Sequence, residues 1–185
     1  MGIRRSLDDS ARRRVLRLGV AGLCAAASLP ARAAPTQASP RRLSFEHLHT
    51  GDRASLVYWA DGAYLPGALD QLDFLLRDFR THEAIRMETA LYDLLHALRR
   101  RLATEAPFQV ISAYRSPRTN RALARQGRGV SVASLHQYGM AIDLRVPGVR
   151  LSALRRAARS LGLGGVGYYP RANFIHVDTG RVRFW

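Results

Sequence analysis

The sequence predicts an α+β domain, because helical patterns come first in the chain and short strands dominate its second half. Leucines at helical spacing predict two helices between residues 65 and 103. Short apolar runs bounded by Gly, Pro and Ser predict strands at residues 108–112, 141–146, 165–169 and 174–178. The elements do not alternate as repeated βαβ units, which argues against a parallel α/β fold.

The N-terminal part of the domain combines two strands and a helix. Residues 43–49 and 54–59 alternate in polarity around a Gly-containing turn, which predicts a strand on each side of that turn. Leu65 and Pro66 introduce the first helix, since proline is favoured in the first helical turn. The predicted apolar face of this helix consists of Leu69, Leu72, Leu75, Leu76 and Phe79.

Three more helices complete the predicted framework. The second helix is predicted over residues 84–103, and a short third helix begins at Ser116-Pro117. A Gly- and Ser-rich loop at residues 126–134 follows it. The last helix is predicted over residues 151–161, and Gly162 ends it.

The first 33 residues have the features of an export signal. Consecutive arginines precede an apolar stretch at residues 18–29, which is too short to cross the ~30 Å hydrocarbon core as a helix. The arginine pair followed by Val-Leu-Arg resembles a twin-arginine signal. A basic N-terminal arm or a membrane anchor is the alternative. The predicted division is a signal peptide at residues 1–33, a linker at 34–42 and a domain at 43–185.

The chain is strongly basic, with a formal net charge of +15. Residues 1–33 contain seven Arg and two Asp, so the rest of the chain keeps 22 Arg and 12 acidic residues, a net charge of +10. This charge favours an anionic partner. No arginine run with interleaved aromatic residues is present, so nucleic acid is not the predicted partner.

Cysteine is absent from the predicted mature chain. Cys24 is the only cysteine and lies within the predicted signal. Leu23 before it is larger than the small residue that a lipoprotein cleavage site prefers, so we do not predict a lipid anchor. A bound metal would therefore have to use His, Asp or Glu.

Two histidines and two aspartates stand out in the C-terminal part. From residue 106 onward the chain has no other histidine or acid than His136, Asp143, His176 and Asp178. Zinc binds imidazole nitrogen and carboxylate oxygen, and a catalytic site keeps three protein ligands and one open position. Gly139 permits a tight turn between the first two of these residues. Spacing alone leaves structural roles open for each of them.

The surrounding motifs resemble a known superfamily. Residues 134–143 match S-x-H-x-x-G-x-A-x-D, and residues 112–116 match S-x-Y-R-S. Residues 174–178 match the closing metal-ligand strand, while residues 58–65 and 75–80 look like the N-terminal part of one branch. The sequence from about residue 43 onward thus resembles the murein endopeptidase K-like branch of the D-alanyl-D-alanine metallopeptidase and hedgehog-like zinc peptidase superfamily.

This resemblance implies a small antiparallel sheet that carries the metal site and is flanked by helices. It implies one zinc ion per chain, held by His136, Asp143 and His176. It also implies that Arg115 points into the cleft and stabilises the oxyanion formed when the scissile carbonyl is attacked. The alternative is that Arg115 is a surface arginine or the partner of a carboxylate.

The chain departs from the superfamily pattern at the position of the general base. Dipeptidases of the superfamily carry Glu three residues before the last zinc histidine, where this chain has Asn173. An amide cannot accept a proton from water. Asp178 is the predicted catalytic base, and the alternative is that it orients His176 without touching substrate.

Several residues are predicted to bind substrate. Ser116 and Ser134 are candidates for hydrogen bonds to substrate or for positioning Arg115, with structural turn roles as the alternative. Tyr168, together with Tyr169 and Trp185, is predicted to line the groove, although core packing is also consistent with these aromatics. The histidines outside the motifs are treated as structural or surface residues, and they are His47, His49, His82 and His96.

The resemblance therefore predicts an exported, periplasmic zinc metallopeptidase that acts on the peptide stems or cross-links of peptidoglycan. An endopeptidase acting on cross-links is favoured, and a D,D- or L,D-carboxypeptidase or dipeptidase is the alternative within the fold. A non-catalytic, zinc-stabilised wall-binding module is the alternative from another class. Neither nucleic acid nor a stable membrane span after signal cleavage is predicted.

Overall fold

The structure, a computed structural model, describes residues 39–126 and 131–185. The predicted signal peptide, Cys24 and most of the predicted linker lie outside the described residues. The strands are β1 (Arg41–His47), β2 (Arg53–Ala60), β3 (Ala63–Tyr64), β4 (Phe108–Ser112), β5 (Ala141–Arg145), β6 (Gly165–Tyr169), β7 (Phe174–Asp178) and β8 (Arg183–Phe184). The helices are α1 (Pro66–Leu75), α2 (Thr89–Leu102), α3 (Pro117–Arg125) and α4 (Leu151–Leu161), and Leu135–Tyr138 and Pro170–Ala172 form short 3-10 helices.

The eight described strands form one mixed sheet in the order β3-β2-β1-β4-β5-β7-β6-β8. Pairing is antiparallel along β4-β5-β7-β6, the part with the predicted ligands. The α+β class is confirmed. The sheet is nevertheless larger than the small antiparallel one that was predicted, because a parallel β1–β4 pair joins the N-terminal strands to it. A second parallel pair, β6–β8, adds the other edge strand.

Helices α1, α2 and α4 cover one face of the sheet and bury the core between them. Helix α1 contacts β2, α2 contacts β1, and α4 contacts β6 and β7. The inner residues of β5 and β7 belong to this core, and they are Ile142, Leu144, Ile175 and Val177. Because side chains alternate along a strand, Asp143 and His176 must point to the opposite face. The core thus determines which sheet face can hold a site.

Helix α2 begins at Thr89, later than the predicted start at residue 84. The backbone N–H of Met87 donates to Asp73 Oδ1 at 3.1 Å, and that of Glu88 donates to the Gly139 carbonyl at 3.0 Å. These long-range bonds hold the segment before α2 in an extended path that a helix could not follow. The local sequence alone therefore does not predict where α2 begins.

Two other boundaries differ from the sequence prediction. Strand β1 begins at Arg41, so it includes the last two residues of the predicted linker. Helix α1 ends at Leu75, and Phe79 lies beyond it, where its ring stacks on His49. No helix among the described residues is long and apolar enough to cross a membrane.

Candidate active site

Strand register places Asp143 and His176 side by side. The two residues are direct partners in the antiparallel β5–β7 pair, so their side chains leave the same face of the sheet. Gly167 is the partner of His176 on its other side, in β6. A Cβ atom at Gly167 would lie 2.7 Å from the Trp185 ring, so only glycine leaves room for that indole beside His176. The rings of His176 and Trp185 have centroids 5.3 Å apart.

His136 reaches the same point from the 3-10 helix Leu135–Tyr138. Gly139 ends this helix with φ +68°, and a Cβ atom there would lie 3.0 Å from the Arg86 carbonyl oxygen. The predicted tight turn at Gly139 is therefore present, and close packing also requires glycine there. The Arg115 backbone N–H donates to the His136 carbonyl at 3.1 Å, which ties the turn to the end of β4.

The three predicted metal ligands come together in the structure. The His136 Nε2 atom lies 3.2 Å from His176 Nδ1 and 3.4 Å from Asp143 Oδ1. His176 Nδ1 and Asp143 Oδ1 are 3.0 Å apart. All three residues are buried. Three oxygen and nitrogen donors thus face a common point, although they come from three separate segments of the chain.

The donor set fits a tetrahedral metal ion. Zinc–ligand bonds of 2.0–2.1 Å place tetrahedral ligands about 3.3 Å from one another, close to the three separations above. His136 Nδ1 lies 2.6 Å from the Ala113 carbonyl oxygen, which can only accept, so this nitrogen carries the proton and Nε2 has a free lone pair. His176 Nε2 lies 2.8 Å from the Asp178 carboxylate, which leaves Nδ1 free in the same way.

Electrostatics keep the Asp143 carboxylate ionised. Burial alone would raise the pKa of Asp143, but the neighbouring His136 and His176 outweigh it and hold the pKa well below its usual range. Burial lowers the pKa of His176, whereas Asp143 and Asp178 outweigh burial and raise it. A metal ion requires the ionised carboxylate and the unprotonated ring nitrogen. Metal and protons therefore compete for this cluster.

Asp178 does not face the cleft, contrary to the predicted role as catalytic base. Its side chain is fully buried and contacts His176 on one side. On the other side the two Arg183 Nη atoms donate to the carboxylate at 2.9 and 2.8 Å. The Gly165 and Gly180 N–H groups also donate to Oδ1. Burial would raise the pKa of Asp178, but bonds from His176 and Arg183 outweigh it and lower the pKa. This placement corresponds to the alternative, in which Asp178 orients His176.

Asn173 also stays out of the cleft lining. It follows the 3-10 helix Pro170–Ala172 with φ +55°, a conformation that asparagine tolerates better than most residues. Its backbone N–H donates to the Pro170 carbonyl at 3.3 Å. The residue that replaces the dipeptidase Glu therefore caps a turn, and Asp143 is the only carboxylate that lines the described part of the cleft.

Arg115 lies in the cleft beside the Asp143 carboxylate. Its Nη2 atom is 3.6 Å from Asp143 Oδ2, and weaker contacts reach Ser112 and Asn120. Its Nε is buried without a hydrogen-bond partner among the described residues. Burial lowers the pKa of Arg115, and Asp143 opposes that change. The guanidinium therefore retains donors that could serve a developing oxyanion.

The predicted substrate residues divide into two groups. Ser134 lines the cleft, and so do Tyr169 and Trp185. Tyr168 does not: it pairs with Ile175 on the core-facing side, where Arg155 lies 4.7 Å above its ring. This correction follows from strand alternation, which sends neighbouring tyrosines to opposite faces.

Ser116 is the second predicted substrate residue that does not line the cleft. It is fully buried, and its hydroxyl accepts a hydrogen bond from the Thr119 N–H at 3.2 Å to cap α3. Its own N–H donates to Asp78 Oδ2 at 2.9 Å. Ser116 therefore has the structural role that was the alternative.

The cleft has a volume of about 770 Å³ and includes residues that the sequence analysis missed. His49 and Arg80 line it, although His49 was predicted to be structural or a surface residue. His49 stacks on Phe79 with ring centroids 4.1 Å apart. No motif links these positions, and the adjacent resemblance at residues 75–80 is the one signal that pointed to this segment.

Comparison with known proteins identifies the family. A family model described as Peptidoglycan L,D-endopeptidase MepK matches residues 35–185. The protein of that name from Escherichia coli (strain K12) is 41% identical over 179 residues, which cover 96% of this chain and 98% of that protein. A protein named Probable peptidoglycan L,D-endopeptidase MepK, from Haemophilus influenzae, is 44% identical over 147 residues, 79% of each chain. These matches confirm the branch indicated by the motifs, and the chain belongs to the peptidoglycan L,D-endopeptidase MepK family.

Proposed function

We propose that this protein is an exported, zinc-dependent peptidoglycan endopeptidase that hydrolyses peptide cross-links. The observation that supports this most strongly is the convergence of His136, Asp143 and His176 on one point in a large cleft. Family membership supports the substrate, since both relatives described above are named as peptidoglycan L,D-endopeptidases.

Zinc is the metal that we propose, because two imidazoles and one carboxylate match its preferred ligands and leave one position open. When bound, such an ion would supply a Lewis acid that polarises the scissile carbonyl and lowers the pKa of a water molecule. The hydrogen bonds from His136 to Ala113 and from His176 to Asp178 fix both rings before any metal arrives. The protein thus contributes a preformed set of donors.

Arg115 is proposed to stabilise the oxyanion. Its guanidinium is anchored beside Asp143, it lines the cleft, and it already lies in a buried environment where a cation interacts strongly with developing negative charge. Ser134, Tyr169 and Trp185 are proposed to contact the substrate from the walls of the cleft. Asp178 is proposed to be a positioning residue for His176.

Export through a twin-arginine-type signal at residues 1–33 belongs to the same proposal. The consecutive arginines, the apolar stretch and the Ala31-Arg32-Ala33 sequence support it, as does a substrate that lies outside the cytoplasm. The mature protein recovered from the producing cell should begin at Ala34. Mass spectrometry of its N-terminal peptide checks this, and a retained Met1 in the active, localised protein would contradict it.

The proposed activity is tested by digestion of defined cross-linked muropeptides, with products identified by mass spectrometry. Zinc-loaded protein should split the cross-link, and a chelator should abolish this activity. His136→Ala should lower kcat/KM by roughly 1,000-fold, since loss of the metal removes several kcal/mol of transition-state stabilisation. His82→Asn is the matched control, because this exposed histidine has a positive φ that asparagine accepts.

The products also separate the alternatives. Release of single terminal residues without splitting of the cross-link would identify a carboxypeptidase instead. Binding to cell-wall material without any product, at full zinc occupancy, would identify a non-catalytic module and overturn the proposed activity.

A further inference from the structure

The cleft contains more positive than negative side chains. Among the residues that the structure describes, its charged lining comprises Arg80, Arg115 and Arg183, against the single carboxylate of Asp143. Two of these arginines already face an acid, since Arg183 binds Asp178 and Arg115 lies beside Asp143. Arg80 forms no ion pair with any residue in the described ranges. Among the described arginines of the cleft, Arg80 is thus the one that faces no acid, and its guanidinium has donors free for a ligand.

Arg80 contacts its neighbours through both its backbone and its guanidinium. Its guanidinium carbon lies 4.1 Å from the centroid of the Phe79 ring, and that ring stacks on His49 with an interplanar angle of 11°. The Arg80 backbone N–H donates to Asp78 Oδ1 at 3.0 Å. Asp78 is buried, and its other oxygen accepts from the Ser116 N–H at the start of α3. Arg80 thus projects from an anchored backbone and rests on an aromatic surface.

Arg80 is also the dominant charge on its wall of the cleft. Burial, and then the proximity of Arg80, lower the pKa of His49, so this imidazole is neutral near pH 7. A neutral imidazole adds hydrogen-bonding capacity without a second charge. A guanidinium presents its N–H groups as a planar fork, which matches a carboxylate better than any neutral group.

We propose that Arg80, supported by Phe79 and His49, forms a subsite that binds a free carboxylate of the substrate peptide. The inference rests on the proposed function, because it concerns a peptide bound in the same cleft as the metal ligands. A volume of about 770 Å³ is within the range of pockets that enclose ligands much larger than one amino acid. A carboxylate held at Arg80 would fix the register of the peptide relative to His136, Asp143 and His176.

The test compares two versions of one cross-linked peptide dimer, one with free carboxylates and the other with those groups converted to carboxamides. Wild-type protein should prefer the free-carboxylate compound in kcat/KM by about 10- to 100-fold, as expected for a charge-assisted hydrogen-bond pair. In Arg80→Gln this preference should fall below about threefold. Arg121→Gln, an exposed arginine of α3 outside the cleft lining, should keep the wild-type preference.

The outcomes that would overturn the subsite can be told apart from failure of the proposed function. Hydrolysis of both compounds at equal rates by the wild type, or an unchanged preference in Arg80→Gln, would overturn the subsite while leaving the proposed function intact. Absence of hydrolysis of either compound by zinc-loaded wild type would overturn the proposed function and the subsite together. Loss of the preference in both arginine variants would show that overall charge is responsible, and would also overturn the subsite.

Discussion

Two buried histidines on one sheet illustrate how the surroundings of an imidazole determine its use. His47 is the last residue of β1, and His176 lies in β7, near the other edge of the sheet. Both are almost inaccessible to solvent. Asp143 and Asp178 contact the two ring nitrogens of His176, whereas among the described residues the ring of His47 receives only backbone N–H groups, from His49 and Thr50.

The pKa values of the two rings are therefore shifted in opposite directions. Carboxylates on both sides raise the pKa of His176 despite its burial. Burial, followed by the proximity of His49 and Arg77, lowers the pKa of His47 to about 4, and Asp52 offsets only part of this change. The Nε2 atom of His47 is buried without a partner in the described structure. The acids around His176, absent from the described surroundings of the His47 ring nitrogens, thus distinguish the candidate metal ligand from the structural histidine.

Between these two histidines, the larger effect is expected from removing Asp178, the acid that we propose orients His176. Asp178→Asn keeps the shape of the side chain but removes its charge, so the imidazole becomes a weaker and less firmly held donor. Zinc affinity should fall by about 10- to 100-fold, as is typical for loss of a hydrogen-bond partner behind a metal-binding histidine. Competition with a chromophoric chelator measures this change.

The matched control is Asp73→Asn, another buried aspartate, which accepts hydrogen bonds from Tyr92 and Met87 away from the site. It should leave zinc affinity unchanged within about twofold, because it touches none of the proposed ligands. Suppose instead that Asp178→Asn kept its zinc and lost most of kcat. That result would restore the catalytic-base role and refute the positioning role.

The sequence predicted that His136, Asp143 and His176 come together, but not the hydrogen bonds behind them. His136, Asp143 and His176 lie in local motifs, and alternation along β5 and β7 follows directly from neighbouring apolar residues. The environment of Asp178 depends on Arg183, which folds back through the short strand β8. A two-residue strand has too weak a pattern to be predicted from sequence.

The walls of the cleft were harder to predict for a related reason. Tyr168 and Tyr169 are adjacent, and only the register of β6 with β7 determines which of them faces the cleft. His49 and Arg80 approach each other through Phe79, which the helical pattern had placed on the buried face of α1. Long-range contacts of this kind leave no periodic signal in the chain.

A smaller effect is expected from His47, and it should be visible in the pH dependence of the unfolding free energy. The folded-state pKa of about 4 lies below the value of about 6.5 expected for an unfolded chain, so the unfolded state binds more protons between these values. Stability from the neutral ring is therefore complete above pH 6.5 and is lost as the pH falls towards 4. His47 should contribute about 2 kcal/mol to the loss of unfolding free energy between pH 7 and pH 5.

His47→Asn should flatten the pH dependence by that amount, because an asparagine side-chain oxygen can still accept from the backbone but does not titrate. Urea unfolding at pH 7 and pH 5, at equal metal content, measures the difference between wild type and variant. His82→Asn, at an exposed position, should keep the wild-type slope. An equally steep loss of stability in His47→Asn would mean that the His47 ring is not held neutral. The proposed difference between the pKa shifts of His47 and His176 would then be refuted.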